Sequence, residues 1–144
     1  VNNQELNIIV MKKFFVWKEE YNLEIDIINA QHKKLVDIIN RLYQSFIDKN
    51  HNNILADIID ELIDYTKYHF SVEEEYFAKH NYQKAKEHIL YHRDFVRKIS
   101  EFKADVDAGK MSTVYKMMTF LQDWLVNHII KEDVQYVPAL KGKV

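Results

Sequence analysis

Apolar residues recur along four stretches of the chain at alternating steps of three and four. That spacing lines one face of an α-helix. The first stretch starts near Asp26, a residue type suited to an N-cap, and carries Leu35, Ile39, Leu42 and Phe46. The second runs from about Asn53 to Lys79 through Leu55, Ile59, Leu62 and Phe77. The third carries Phe95, Ile99, Phe102 and Val106, and Gly109 predicts its end as the C′ residue. The fourth runs from about Ser112 through Val114, Met118, Leu121 and Leu125. Polar runs separate them: DKNHNN (48–53), KHNYQ (79–83) and DAGKMS (107–112). Four amphipathic helices with short connections predict an all-α protein, an up-down-up-down antiparallel four-helix bundle over residues 26–144. Residues 1–25 form an N-terminal arm, which Phe15 and Trp17 are placed to pin.

Composition agrees. The 144 residues include two glycines and one proline, too few for a turn-rich β architecture. A hydrophobic share of 47% suffices for one continuous core. The net charge of −2 carries no basic excess, which argues against nucleic acid or an anionic membrane surface as partner. No apolar run approaches the roughly 20 residues of a membrane span. NIIVMKKFFVW is too short and too interrupted for a signal peptide. The chain has no cysteine, which excludes disulfides, iron–sulfur clusters and thiolate zinc sites and is compatible with a reducing cytoplasm. Val1 is not an initiator, and Met11 is a candidate natural start.

Polar residues interrupt the apolar stripes at one set of positions. His32, His69, Glu73, His88, His92 and His128 all continue the helical seams. One histidine on a buried face is ordinarily a hydrogen-bonded core residue. Five on four helices are a different matter. Without partners, each buried imidazole costs about 1–3 kcal/mol. A whole domain has only about 5–15 kcal/mol of net stability. Metal ligation is the compensation these residue types offer. His32 lies near the start of the first helix, and His69 and Glu73 near the end of the second. His88 and His92 lie near the start of the third, and His128 near the end of the fourth. In an antiparallel bundle those places form one layer at one end.

Asp133 follows His128 by five residues, about 140° round an α-helix. It reaches the layer only if the helix ends or changes its winding, and Glu132 competes with it. His51 and His80 fall in polar loops and read as exposed and non-ligating. Imidazole suits zinc, copper, iron and nickel. Five histidines exceed the set of about four ligands that one tetrahedral zinc takes. Two ions bridged by carboxylates use them more naturally. The Glu-x-x-His pair of carboxylate-rich di-iron bundles is absent at every histidine. Another metal, or a haem between facing histidines, stays open on these residues alone.

The pieces DIINAQHKKL, HFSVEE, HILYH and WLVNHIIKED, in that order, resemble the hemerythrins, in particular single-domain bacterial ones. The resemblance runs from about Trp17 to Leu140. It implies two iron ions with an oxo or hydroxo bridge. His88, His92 and His128 would hold one iron, His32 and His69 the other, with Glu73 and Asp133 bridging. It implies an O2 pocket walled by Leu35, Phe70, Trp124, Leu125 and Ile129. The implied function is reversible O2 binding for storage or delivery in the cytoplasm, with O2 as ligand and no catalytic residue. Two alternatives belong to the same resemblance: an O2- or redox-sensing domain, and a di-iron enzyme acting on nitric oxide, peroxide or ferrous iron. The sequence departs from the family in lacking a glycine near Glu24-Ile25 and a proline near Gln83.

Overall fold

The computed structural model describes residues 13–49 and 52–144. Met11 and His51 lie outside them, and with them the expectations about a start site and a loop histidine. Four long helices follow one another: α1 (Asp26–Ile47), α2 (Asn52–Lys79), α3 (Ala85–Asp107) and α4 (Ser112–Asn127). α1 packs on α2, α2 on α3, α3 on α4, and α4 closes back on α1. The short connections force each neighbour to run antiparallel. The apolar stripes become the core: Leu35, Ile39, Leu42, Leu55, Ile59, Leu62, Phe95, Ile99, Val114, Met118 and Leu121 are all buried. Phe46 and Phe102, at the ends of their stripes, are half-buried.

The helix ends follow local chemistry. α3 stops in a Schellman turn. Gly109 takes φ +82, its N–H reaches the Val106 carbonyl at 2.9 Å, and the Lys110 N–H reaches Asp105 at 2.9 Å. α2 ends the same way around Asn81, at φ 53, with the Tyr82 N–H on the Phe77 carbonyl at 3.0 Å. The start of α1 differs from expectation. Ile25, not Asp26, holds the cap position, in an extended conformation with its side chain buried. Burial of Ile25 outweighs the gain from a side-chain cap. Asp26 lies instead in the first turn, where its charge opposes the positive helix end.

Residues 13–25, the described part of the arm, lie against the bundle through two asparagines. Asn40 accepts from the Phe15 N–H at 2.8 Å and donates to the Phe15 carbonyl at 2.9 Å. Asn29 pairs in the same two-way fashion with the backbone of Leu23, accepting at 2.7 Å and donating at 2.5 Å. Each amide thus satisfies both backbone groups of one residue that no helix pairs. Phe15, Tyr21, Leu23 and Ile25 are buried, whereas Trp17 is half-buried, edge-on to Tyr21 and under the Lys33 ammonium. No helix among the described residues is long and apolar enough to cross a membrane.

Candidate metal centre

The layer of polar residues lies where the helix ends meet. His32, His69, Glu73, His88, His92, His128 and Asp133 are each at most 4% exposed. Their donor atoms form two overlapping groups. Glu73, His88, His92 and His128 offer atoms within 4.8 Å of one another, and so do His32, His69 and Glu73. Glu73 belongs to both. Its Oε1 is 3.0 Å from His69 Nε2 and 3.4 Å from His92 Nε2.

Asp133 also reaches both groups, and the reason is in the backbone. After Asn127 the helix widens into a π-turn over His128–Glu132, then tightens into a 3-10 turn over Asp133–Tyr136. A π-turn sets residues five apart on one face, which α winding would not do. Asp133 Oδ1 thereby lies 3.0 Å from both His128 Nε2 and His88 Nε2, and its Oδ2 lies 3.1 Å from His32 Nε2. Glu132 stays at the surface side of the turn, in a shallow depression with Tyr91 and Lys131. His80 is absent from the cluster; it is half-buried rather than exposed, in the turn that follows α2.

These atoms face one another at close range without hydrogen-bond geometry. Both oxygens of Glu73 and of Asp133, both nitrogens of His32, and the Nε2 atoms of His88, His92 and His128 are buried and unpaired. Such groups are rare because each costs about 1–3 kcal/mol. A set of lone pairs converging without donors is what a cation requires. Without a metal, the acids and imidazoles of the cluster compensate one another. Burial and the Asp133 charge push the Glu73 carboxyl up, but the facing His69 and His92 imidazoles outweigh them and hold it well below the usual range. Asp133 is held down likewise, burial opposed by His128, His32 and His88. Burial lowers the His32 imidazole and keeps it neutral. For His128, the Asp133 carboxylate overcomes burial and raises it.

A surrounding shell aims the rings. Gln31 Oε1 is 2.6 Å from His69 Nδ1, and Glu74 Oε2 is 3.1 Å from His92 Nδ1. With Nδ1–H donating to those oxygens, the Nε2 lone pairs point inward. Sequence reasoning missed both partners. Gln31 precedes His32 and Glu74 follows Glu73, but nothing in the spacing sets them apart from other polar neighbours.

Flat aromatic contacts complete the walls. Phe70 stacks on His92 at 3.8 Å and 4°, and Trp124 on His128 at 4.2 Å and 15°. One turn inward from the donors lies a closed cavity of about 10 Å³. Leu35, Phe70, Trp124 and Leu125 line it, while Ile129 is buried elsewhere. Thr66 also lines it, and its buried hydroxyl has no hydrogen-bond partner.

Comparison with known proteins decides the family. The family model described as the hemerythrin HHE cation binding domain matches residues 23–140. The chain belongs to the hemerythrin family. It is 36% identical to a bacteriohemerythrin of Clostridium acetobutylicum over 129 residues, covering 85% of this chain and 98% of that protein. It is also 36% identical to a bacteriohemerythrin of Pseudomonas aeruginosa over 126 residues, covering 88% and 81%. Among solved structures, wild-type hemerythrin superposes with a TM-score of 0.80 at 28% identity, covering 90% of this chain and 99% of that one. A leucine-to-alanine hemerythrin mutant gives 0.82 at 26% identity, covering 91% and 100%. The solved hemerythrins share the four-helix fold, and the family supplies the cation that the unpaired donors call for.

Proposed function

We propose that this hemerythrin binds O2 reversibly at a non-haem pair of iron ions, as a store or carrier. The observation that carries the reading is the convergence of five imidazoles and two carboxylates, all buried and mostly unpaired, on two groups that share Glu73. His88, His92 and His128 would hold one ion and His32 and His69 the other, with Glu73 and Asp133 spanning both. The chemistry an iron pair supplies here is reversible donation of one electron from each ion to O2.

The protein's own part is placement and dryness. Gln31 and Glu74 hold two imidazoles in one tautomer. Leu35, Phe70, Trp124 and Leu125 keep water from the inner side, where it would promote loss of the bound gas in reduced form. A nitrogen-rich donor set and a closed apolar cavity favour holding O2 over turning it over. The reading includes a cytoplasmic location, with no catalytic residue and no nucleic-acid partner. The test is iron per chain together with the absorption spectrum. Two iron atoms per chain and a colour that appears in air and fades under vacuum support it. Iron well below two per chain, or a colour that never reverses, overturns it.

A further inference from the structure

One surface groove opens directly over a member of the metal cluster. It lies between α2 and α3 and has a volume of about 510 Å³, within the range of roughly 300–1,000 Å³ typical of small-molecule sites. Phe70 and His92, stacked on each other and almost wholly buried, lie at its base. Its rim is cationic: Lys67 on one helix, Arg93 and Arg97 on the other, all exposed. Arg97 is engaged with Asp94 and Glu101. Lys67 and Arg93 make no ion pair among the described residues. Glu74, the one acid of the groove, accepts from His92 Nδ1. The depression beside His128 is different: Asp123 and Glu132 there outnumber Lys131, and no cationic rim forms.

A base of Phe70, His92 and Val96 under a cationic rim fits an organic anion with an apolar body. With a metal-facing imidazole at the base, the occupant that uses the place is an electron carrier. We propose that this groove binds a planar anion of the flavin mononucleotide class, its phosphate held by Lys67 and Arg93, and that the flavin re-reduces the iron pair through His92. This rests on the iron-pair reading above. The balance is closed: the anionic flavin hydroquinone gives up two electrons and releases one proton to solvent, becoming oxidised flavin. Each of two ferric ions gains one electron and becomes ferrous. No atom is transferred.

The binding half is tested on metal-free and zinc-loaded protein, by quenching of flavin mononucleotide fluorescence at low salt. Saturable quenching is expected. The double variant Lys67→Glu, Arg93→Glu should weaken it about tenfold or more. Riboflavin, which lacks the phosphate, should bind more weakly and respond less to the charge reversal. The electron half uses air-oxidised, iron-loaded protein and photoreduced flavin mononucleotide under argon. Loss of ferric absorption should slow about tenfold in the double variant, whereas reduction by a neutral small reductant should not change. No saturable quenching, or equal quenching by wild type and variant, overturns the site. Equal flavin reduction rates overturn the electron path. Iron is counted first, so an iron content below two per chain would refute the iron-pair reading while the zinc-loaded protein still decides the groove.

Discussion

His128 and Asp133 are five residues apart, yet the imidazole Nε2 and the carboxylate Oδ1 lie 3.0 Å from each other. The π-turn between them makes this possible. It also lets the other carboxylate oxygen reach His32 on a different helix. A backbone irregularity thereby ties both donor groups to one acid, and it predicts unequal roles for two adjacent acids. Asp133→Ala should lower bound iron from about two per chain to one or fewer, with loss of the visible band. Glu132→Ala should keep both. Metal analysis beside the spectrum checks it, and equal iron in the two variants would count against the bridge.

Gln31 and Glu74 touch no donor atom that faces the centre, yet each holds the far nitrogen of a ring. Replacing such partners lowers metal affinity by roughly 10–100-fold. Gln31→Leu and Glu74→Gln should each fall in that range in competition against a chelator. Glu74→Gln keeps an acceptor and should lose less than Glu74→Leu.

Most of this architecture was readable from spacing. Steps of three and four placed Leu55, Ile59, Leu62 and Phe77 on one face, and that face is buried. The same steps carried His69 and Glu73 inward, because a helical seam does not distinguish an apolar residue from a ligand. Asp133 was legible only through family resemblance, since a π-turn has no periodic signature. The arm was half legible: Phe15 announced itself as apolar, but Asn29 and Asn40 look like any surface amide until the backbone they clasp is in place. Asp26 misled because its residue type suits a cap, while burial of Ile25 decides the position.

The Asn40 clasp has its own consequence. Asn40→Ala leaves the Phe15 N–H and carbonyl unpaired beside a buried ring, a loss of about 1–3 kcal/mol. The denaturant midpoint should fall accordingly. Limited proteolysis should cut near residues 13–18 faster than in wild type, with the helices untouched. Cleavage no faster than in wild type would mean that the buried aromatics alone hold the arm.

In the metal-free chain, acidification acts on stability through groups of opposite sign near neutrality and of one sign below pH 4.5. His32 is neutral in the fold, below its ordinary value of 6.5, because burial disfavours its charge. The unfolded chain takes up that proton first, so stability falls as pH drops through about 6.5. Glu73 and Asp133 are held below their ordinary values, 4.5 and 3.8. Their contribution is complete above those values and is lost as pH falls toward the lower folded ones. His128, raised by Asp133, works the other way: its contribution is present below 6.5 and disappears as pH rises through its higher folded value. Denaturant midpoints should therefore decline as pH falls from about 4.5 toward 3, and that decline should be smaller in Glu73→Gln. An identical slope there would remove that carboxylate from the account.

Leu125 lies one turn before His128 and lines the closed cavity beside the donors. Leu125→Ala removes buried methyl groups and enlarges a space that now measures about 10 Å³. The transfer and cavity terms together should cost about 2–5 kcal/mol, read as a lower denaturant midpoint in the metal-free protein. The enlarged space also borders Thr66, whose unpaired hydroxyl gives a water one polar partner. Water admitted there would assist departure of reduced oxygen, so the oxygenated colour should decay faster to the ferric form. Leu125→Phe, which fills the space, separates the two effects. It should strain the core and lower stability while slowing that decay. If both variants decay at the wild-type rate, Leu125 packs the bundle and does nothing for the bound gas.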